Sequence, residues 1–563
     1  MVRRMSTLPP PWRAPLVSAL SAALLVSCAH APPSPPAAPT PPPARVQLRL
    51  LALNDFHGNL APPEGSSGQI RVGEERVPAG GAAFLAQHLQ ALRASAPGDT
   101  LMVSSGDLVG ASPLVSSLFH DEPTIEAMNL MGLSLNAVGN HEFDEGAAEL
   151  LRLQTGGCHP QEGCVGKENF EGARFQFLAA NVVDARGATL FPPFVVKEFR
   201  GVKVAFIGMT LQGTPEIVDA AGIQGLRFLD EADTVNALVP GLQAQGVRAI
   251  VVLMHEGGVP AGGGINDCQG LSGPVLDIVR RLDPEVDVVL SAHTHQAYNC
   301  VLHGKRVTSA ASYGRLVTNV DLQLDPASGD VVEALANNVV VTREGPGDAA
   351  VGALVARYDA LSAPLRERVL GRVTGPLTKP DTRTWPSGES SLGNFIADAQ
   401  REATRSAGAQ VSFINPGGIR ADLDAGDVTY GEAVSVEPFG NALVTLTLTG
   451  AQLHQLLEEQ WGTSMDRILQ PSRGFTYAWS ASAPAGHKVD PTSLRLDGAP
   501  VRPEAPYRVT VSSFLAGGGD GFKTFLQGTD RLGGPLDVTA LETFLKMHSP
   551  LPPPSTDRIR REK

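Results

Sequence analysis

The sequence is poor in aromatic residues, in basic residues and in long apolar segments. Phe, Trp and Tyr make up 5% of the 563 residues, and the formal net charge is −13. Because a surface that binds nucleic acid has to neutralise phosphates with lysine and arginine, this balance argues against a polymeric nucleic acid as partner. A small anionic ligand is still compatible with it, since bound metal ions can supply positive charge locally.

After residue 28, no segment stays apolar for the roughly 20 residues that a membrane-spanning helix needs. The first 28 residues are typical of an export signal, in which Arg3, Arg4 and Arg13 precede a shorter apolar run, Pro15–Val26. The run ends in the string LVSC, which resembles the lipobox of bacterial lipoproteins and predicts lipid attachment at Cys28. The alternative is an ordinary secretory signal with an unrelated cysteine. We expect an exported protein, lipid-anchored in the cell envelope, at the outer membrane or periplasm of a Gram-negative cell.

Cysteine is scarce, with five residues in all, four of them after Cys28. No two are spaced as CxxC, which argues against a zinc site built on cysteine. An even number of cysteines in an exported protein predicts disulfides. We expect Cys158 to pair with Cys164 and Cys268 with Cys300, because each is the nearest in sequence.

Composition and hydrophobic patterning divide the chain into six segments. We expect a lipoprotein signal peptide over residues 1–27, a proline-rich linker over 28–45, an α/β domain over 46–345, a connecting helix over 346–370, a second mixed α/β domain over 371–548 and a disordered tail over 549–563. In the first domain, strand-like runs alternate with helical patterns, which predicts a layered α/β fold. Strands are predicted at 47–54, 100–104, 202–209, 249–254 and 286–290, and helices at 82–94, 124–131, 231–243, 275–281, 348–370 and 392–404.

Short polar motifs follow most of these predicted strands. They are NDFH at 54–57, GD at 106–107, GNHEFD at 139–144, MHE at 254–256 and AHTH at 292–295. Because α/β folds place their sites at the carboxyl ends of strands, we expect these side chains to converge. Two carboxylates, one amide and four imidazoles are too many for one ion, so the sequence predicts two divalent ions with a bridging carboxylate. The donor types suit manganese, zinc, cobalt or iron better than calcium.

The order of these motifs resembles that of the calcineurin-like metallophosphoesterase superfamily. The longer strings LNDFHGNL, GDLVGASP, GNHEFDEG and AHTH resemble its 5′-nucleotidase branch, which includes bacterial UDP-sugar hydrolases, and the resemblance runs from about residue 46 to residue 545. It implies a four-layer α/β/β/α first domain, joined by a helix to a mixed α/β second domain. It implies that one metal is bound by Asp55, His57, Asp107 and His295, and the other by Asp107, Asn140, His255 and His293.

The resemblance also implies the chemistry. Two metal ions would hold a hydroxide that attacks phosphorus in line, so that no protein nucleophile is needed. His141 would stabilise the transition state or protonate the departing oxygen. Asp144, three residues further on, would orient His141 and raise its pKa.

For the second domain, the resemblance implies a nucleobase held between the rings of Phe439 and Phe514. These residues stand in the strings EPFGN at 437–441 and SFLAGGGDGF at 513–522. The other substrate-binding residues are expected to be Asn441 at the base edge, Asp520 at the ribose hydroxyls, and Asn415 and Arg420 at the phosphate or sugar.

One departure from the family pattern concerns the string ESSLGN at 389–394. Family members commonly carry an arginine just before it, whereas here the nearest is Arg383. This departure bears on the preference for nucleoside monophosphates more than on hydrolysis itself. The leading interpretation is an exported nucleotide phosphohydrolase. The alternatives are the same chemistry on nucleotide sugars, dinucleotides, 2′,3′-cyclic nucleotides or a sulfur ester, and a non-catalytic surface-binding lipoprotein.

Overall fold

The computed structural model describes residues 44–63, 65–166, 169–218, 222–380, 386–461 and 466–562. The expected signal peptide, the expected anchor Cys28, nearly all of the proline-rich linker and Arg383 lie outside the described residues. Among the helices of these ranges, none has both the length and the apolar character that a bilayer-spanning segment requires.

The first half of the protein alternates strands and helices as predicted. Its strands are β1 (Val46–Leu53), β2 (Gln69–Val72), β3 (Glu75–Pro78), β4 (Asp99–Ser104), β5 (Leu133–Ala137), β6 (Gln176–Leu178), β7 (Val182–Val183), β8 (Phe194–Phe199), β9 (Val202–Met209), β10 (Arg227–Phe228), β11 (Ala249–Met254), β12 (Val286–Ser291), β13 (Ala297–Leu302), β14 (Lys305–Ala310), β15 (Leu316–Asp325) and β16 (Asp330–Val340). Its helices are α1 (Ala82–Ala94), α2 (Leu114–Ser117), α3 (Glu122–Met131), α4 (Gly146–Thr155), α5 (Glu231–Ala244), α6 (Val275–Arg281) and α7 (Ala349–Arg366).

Two six-stranded sheets pack against each other, with strand orders β16-β15-β1-β4-β5-β6 and β13-β14-β12-β11-β9-β8. Side chains from both sheets, such as Leu50, Val103, Val204 and Leu253, form one buried cluster between them. Helices α1, α3 and α4 bury their apolar faces on the outer side of the first sheet, and α7 packs on α1 and α3 in the same cluster. Helices α5 and α6 do the same on the second sheet. The predicted α/β/β/α layering is therefore confirmed.

The central strands of both sheets are parallel. Strand β1 runs parallel to β4, and β4 to β5, while β9, β11 and β12 run parallel in the other sheet. Leu53 at the end of β1 pairs with Ser104 at the end of β4, and Met254 of β11 pairs with Ser291 of β12. The carboxyl ends of neighbouring strands are thus aligned, and the loops that follow them carry the polar motifs.

Both predicted disulfides are confirmed. Cys158 bonds Cys164 and closes a short loop after α4, and Cys268 bonds Cys300 of β13.

The second half is a separate mixed α/β unit. Its strands are β17 (Val369–Val373), β18 (Val411–Ile414), β19 (Gly426–Thr429), β20 (Ala442–Thr449), β21 (Gln470–Pro471), β22 (Phe475–Ser480), β23 (Arg495–Leu496), β24 (Ala499–Pro500), β25 (Pro506–Ser512), β26 (Thr529–Leu536) and β27 (Ile559–Glu562). Its helices are α8 (Ser391–Ala403), α9 (Tyr430–Val436), α10 (Gly450–Glu458), α11 (Ser513–Ala516) and α12 (Asp537–His548). A five-stranded sheet, β21-β18-β25-β20-β26, forms its centre.

The connecting helix α7 begins after Asp348, whose side chain caps it by accepting a hydrogen bond from the backbone N–H of Val351 at 2.8 Å. The helix contacts α1, α2 and α3 of the first half and α9 of the second. Leu114 of α2 is buried in one cluster with Leu370 and Leu392. The two halves therefore share an apolar interface beside this helix.

The prediction of a disordered tail is wrong for residues 549–562. Strand β27 pairs in parallel with β22, from Tyr477 with Ile559 to Ser480 with Glu562. Arg558, only 5% exposed, donates two hydrogen bonds to the carboxylate of Asp398, at 2.9 and 2.8 Å. The proline-rich and charged composition suggested a solvated segment, but one of its arginines finds a buried partner about 160 residues earlier in the chain.

Candidate metal centre and substrate cleft

Five loops bring the seven predicted metal ligands together at one edge of the two sheets. Each loop follows the carboxyl end of a central strand, namely β1, β4, β5, β11 or β12. The carboxylates and imidazoles among the seven form two groups, and within each group the donor atoms lie within 4.8 Å of one another: Asp55, His57 and His295 in one, Asp107, His255 and His293 in the other. All seven side chains are buried or half-buried: Asp55, His57, Asp107, Asn140, His255, His293 and His295.

Asp107 lies between the two groups of ligands. Its Oδ2 is 3.6 Å from Nε2 of His57 on one side and 3.0 Å from Nε2 of His255 on the other. One oxygen of this carboxylate thus faces an imidazole of each group, so Asp107 is the residue that would be shared by two bound ions.

The first group adds Asp55 and His295 to His57 and Asp107. Nε2 of His295 lies 3.4 Å from Oδ1 of Asp55 and 3.1 Å from Nε2 of His57. These ring nitrogens and carboxylate oxygens point at a common space, so the set can hold one divalent ion.

The second group contains Asn140 and His293 beside Asp107 and His255. Oδ1 of Asn140 lies 3.2 Å from Nε2 of His255. The rings of His255 and His293 approach edge to face, with centroids 5.4 Å apart. Nitrogen and oxygen donors without a thiolate fit a manganese-, zinc- or cobalt-type ion.

Backbone groups fix the orientation of the imidazoles. Nδ1 of His57 donates to the carbonyl of Gly110 at 2.9 Å, and Nδ1 of His255 donates to the carbonyl of Ser105 at 2.8 Å. Each ring therefore keeps the lone pair of Nε2 for a metal ion. Gly106, between these segments, has φ 95°, and an added Cβ would lie 2.7 Å from Nδ1 of His255. The Gly-Asp motif thus needs its glycine for close packing.

Five of the seven ligands adopt left-handed backbone conformations. Such conformations cost on the order of 1–3 kcal/mol for a residue other than glycine, and they cluster at functional sites. Hydrogen bonds between loops offset part of the cost, for example from the N–H of Asp55 to the carbonyl of Gly106 at 2.9 Å. The φ angles are 49° at Asp55, 48° at His57, 53° at Asp107, 68° at His293 and 55° at His295.

Burial shifts the pKa values of several residues in the centre. It lowers the pKa of His293 to about 3 and that of His57 well below its usual value. Burial also acts to lower the pKa of His255, but the adjacent Asp107 carboxylate outweighs it and raises that pKa to about 10. Burial raises the pKa of Asp55. Buried carboxylates beside imidazoles, with pKa values shifted by burial and by neighbouring charges, form a site that favours divalent cations.

Sequence reasoning gave no role to Glu142, which supports Asp107 from within the same GNHE string. Its buried carboxylate accepts hydrogen bonds from the backbone N–H groups of Asp107 at 2.9 Å, Leu108 at 2.8 Å and Gly139 at 2.6 Å. Burial, with the charge of Asp107, raises the pKa of Glu142 to about 7. Its position directly after Asn140 and His141 in the sequence could have indicated that Glu142 supports the centre.

His141 lies beside the centre and faces the cleft. Its backbone N–H donates to Oδ1 of Asp107 at 2.9 Å, and its ring Nδ1 lies 2.9 Å from Oδ2 of Asp144. Burial acts to lower the pKa of His141, but the charges of Asp144 and Asp107 raise it overall. The His141–Asp144 contact expected from the sequence is present.

One cavity of about 720 Å³ joins the metal ligands to the second half of the protein. The residues from the first half include Asp107, Asn140, His141 and His293. All six predicted substrate-binding residues line the same cavity: Asn415, Arg420, Phe439, Asn441, Phe514 and Asp520.

Phe439 reaches across the cavity to His141. Their rings are nearly parallel, 18° apart, with centroids 5.6 Å from each other. The guanidinium of Arg420 lies 5.9 Å from the centroid of the same Phe439 ring. Deeper in the second half, Nδ2 of Asn415 donates to Oδ2 of Asp520 at 2.7 Å.

Two further basic residues line the cavity, and sequence reasoning missed both. Nε of Arg467 lies 3.5 Å from Oδ1 of Asp520, and Nζ of Lys379 donates to the carbonyl of Arg420 at 3.4 Å. Each stands alone in a loop without a recognisable motif, so only the fold shows that they face the cleft. Arg420, Arg467 and Lys379 can each pair with a phosphate, and they stand among the five aspartates that line the same cavity: Asp107, Asp144, Asp466, Asp520 and Asp537.

Comparison with known proteins places the chain in a family. The family model for calcineurin-like phosphoesterase matches residues 48–297, and the model for the 5′-nucleotidase C-terminal domain matches residues 369–527. Endonuclease YhcR of Bacillus subtilis is 32% identical over 525 residues, which cover 90% of this chain and 40% of that protein. Cell wall protein Lmo0130 of Listeria monocytogenes is 34% identical over 514 residues, which cover 85% and 64%.

The chain thus spans less than two thirds of the length of these two relatives. Among solved structures, the 5′-nucleotidase precursor from Thermus thermophilus matches with a TM-score of 0.75 and 28% identity, covering 92% of this chain and 99% of that one. On the two domain matches and the shared architecture, the chain belongs to the 5′-nucleotidase branch of the calcineurin-like phosphoesterases, a family of metal-dependent phosphoester hydrolases.

Proposed function

We propose that this protein is an exported phosphohydrolase that uses two divalent metal ions to release phosphate from nucleotides. The observation that carries the proposal is the single cavity, which joins the seven-ligand centre to the aromatic, amide and basic side chains of the second half. A phosphate ester at the centre can thereby extend its nucleoside toward Phe439 and Phe514.

Asp55, His57, Asp107 and His295 would hold one ion, and Asp107, Asn140, His255 and His293 the other. When bound, the two ions supply an activated water and neutralise the charge of the phosphoryl oxygens. The protein contributes the orientation of the ligands, since backbone carbonyls hold His57 and His255.

His141 would act as the proton donor of the site. Asp144 accepts the hydrogen bond from its Nδ1 and stabilises the imidazolium. The ring lines the cavity beside Asp107 and Asn140, where Nε2 can donate to the phosphoryl group or to the departing oxygen.

The second half would select the nucleoside. Stacking of a base on Phe514 and Phe439 contributes roughly 1–3 kcal/mol for each ring and tolerates any base. Asp520, which contacts Asn415 and Arg467, would accept hydrogen bonds from ribose hydroxyls. Arg420 and Lys379 add positive charge near the phosphate.

A substrate panel tests the proposal. The protein without residues 1–43 is incubated with manganese and with AMP, UDP-glucose, NAD, 2′,3′-cyclic AMP or single-stranded RNA. The products of each reaction are separated by chromatography, and free phosphate is measured in parallel. Efficient release of phosphate from AMP is expected. RNA is included because one relative is named an endonuclease, and efficient RNA cleavage without release from AMP would contradict the proposal.

The variant Phe514→Ala separates recognition from chemistry. We expect its KM for AMP to rise about tenfold, the value of one lost stacking contact. Its activity toward ribose 5-phosphate, which has no aromatic ring to stack, should match that of the parent protein. Equal losses on both substrates would show that Phe514 does not bind the base.

The proposed location rests on the first 28 residues. In the native host, we expect the full-length protein to fractionate with membranes and the Cys28→Ser variant to be released. An unchanged membrane fraction for Cys28→Ser would remove the lipid anchor from the proposal but leave the proposed hydrolysis untouched.

A further inference from the structure

A second group of metal-binding side chains lies outside the cleft. One donor atom each from His120, Glu145 and His159 lies within 4.8 Å of the other two. His120 precedes α3, Glu145 precedes α4, and His159 belongs to the loop closed by the Cys158–Cys164 disulfide. Three separate segments thus contribute to the group, and none of the three residues lines the cleft.

The contacts around His120 are close. Its Nδ1 lies 2.8 Å from Oε2 of Glu145, and its Nε2 lies 3.3 Å from Oε2 of Glu162. The ring of His159 stacks on that of His120, with centroids 4.0 Å apart. Glu162 also donates its backbone N–H to Nδ1 of His159 at 3.2 Å.

This donor set matches what zinc binds in proteins. Zinc takes imidazole nitrogens and carboxylate oxygens and completes four-coordination with water. A carboxylate hydrogen-bonded to the far nitrogen of a ligating histidine fixes that ring, and Glu162 stands in this relation to His120. The side chain of His120 is 11% exposed and that of Glu145 is 45% exposed, so water can reach the group from solvent.

We propose that His120, Glu145 and His159 form a third metal site, which binds Zn²⁺ or a chemically similar divalent ion independently of the two-metal centre. An ion there joins the disulfide-closed loop to the turns that carry His120 and Glu145. For both imidazoles to bind one ion, the His159 ring has to turn out of its stack on His120, because a ring nitrogen binds metal in the plane of its ring.

The neighbours of two ligands connect this site to the centre. Asp121, next to His120, accepts a hydrogen bond from the backbone N–H of Gly110 at 2.9 Å, and the carbonyl of Gly110 holds His57. Glu145 directly follows Asp144, the partner of His141. The third site therefore lies next to the segments that contain Asp121 and Asp144, and it shares no ligand with the two-metal centre.

Zinc stoichiometry tests the proposal. The parent protein, His159→Ala and Glu145→Gln are dialysed against micromolar free zinc, and bound zinc is measured by elemental mass spectrometry. We expect both variants to hold about one zinc ion per chain less than the parent protein. The exposed His487→Ala variant is the matched control and should retain the parent value.

Equal zinc content in all four proteins would overturn the third site, as would a difference that appears only at millimolar zinc. Thermal unfolding of the variants checks that they are folded, and Glu145→Gln keeps the volume of the side chain should His159→Ala fold poorly. The result is separate from the proposed function. Release of phosphate from AMP with manganese tests the centre, and it should persist in His159→Ala.

Discussion

His141 is the residue at which the two halves of the cleft meet. Its backbone N–H holds Asp107 in the centre, its ring contacts Asp144, and its open face stacks on Phe439 of the second half. No other described imidazole near the centre has a carboxylate as its Nδ1 partner, since backbone carbonyls serve His57 and His255. This arrangement suits a proton donor, whereas the backbone-held rings suit metal ligands.

The variant His141→Asn should therefore lose turnover and keep metal. We expect kcat to fall by about two orders of magnitude or more, because general acid catalysis contributes roughly that much. Metal content, measured by elemental analysis, should equal that of the parent protein. Near-normal turnover with a full complement of metal would contradict the assignment.

Asp144→Asn is the matched variant for the partner of His141. An asparagine keeps a hydrogen-bond acceptor but removes the charge that raises the pKa of His141. Activity that requires the imidazolium should then be lost at a lower pH on the basic side of the pH profile than in the parent protein. An unchanged basic limb would show that His141 does not act as the acid.

The candidate ligands could be predicted from the sequence because each follows a central parallel strand of one of the two sheets. Asp107 and His255 lie about 150 positions apart and follow strands of different sheets, and the packing of the two sheets brings their side chains together. Arg467 and Lys379 could not be predicted in this way. Their approach to the cleft depends on how loops of the second half pack, and no local pattern encodes that packing.

At the scale of elements, strands with buried apolar runs were predicted with little error. Strands β9 and β11 and helices α1 and α6 have the predicted bounds, because their periodicity and their flanking turns agree. Strand β27 was missed, since its sequence Ile559–Glu562 holds a single apolar residue. Its stability comes from contacts with Asp398 and Glu389, which are distant in sequence.

We predict that Arg558→Ala destabilises the second half. Its ion pair with Asp398 is nearly buried, at 6% and 10% side-chain exposure, and removal of one partner leaves a buried charge. Such losses cost about 3–5 kcal/mol, which thermal unfolding detects as a lower midpoint. Arg560→Ala, at an exposed position two residues further on in β27, is the control and should leave the midpoint nearly unchanged. Equal midpoints for both variants would mean that the tail does not stabilise the fold.

Strand β12 carries a half-buried carboxylate whose protonation should affect stability. Oδ2 of Asp287 accepts a hydrogen bond from the backbone N–H of Ile250 at 2.8 Å, and burial, with the charge of Asp330, raises the pKa of Asp287 to about 8. The pKa of Asp287 is higher in the folded than in the unfolded protein. Its contribution to the free energy of unfolding is therefore greatest at low pH and declines as the pH rises toward 8.

The variant Asp287→Asn keeps the acceptor oxygen and removes this titration. Its free energy of unfolding should exceed that of the parent protein at pH 8, and the difference should shrink toward pH 5. The slope is at most about 1.4 kcal/mol per pH unit between the two pKa values. Denaturant unfolding of both proteins at several pH values measures it, and parallel profiles would contradict the raised pKa.

At the scale of the whole molecule, the metal centre stands at the junction of both halves. The first half supplies the ligands, the second supplies Arg420, Phe439 and Phe514, and Leu114 joins the two across an apolar interface. Binding energy from the nucleoside can therefore position a phosphate against groups that belong to the other half.

Removal of the metal ions should lower both activity and stability. Without cations, the carboxylates of Asp55 and Asp107 are buried close together, and five ligands keep their left-handed backbone conformations. A bound ion stabilises the folded state by roughly 2.7 kcal/mol at about a hundred times its dissociation constant. We expect chelation to abolish phosphate release from AMP and to lower the unfolding midpoint, and manganese to restore both.

In Asp107→Asn, which lacks the bridging charge, chelation should shift the midpoint much less. A chelated parent protein that kept its midpoint and its activity would show that no metal ion acts at this centre.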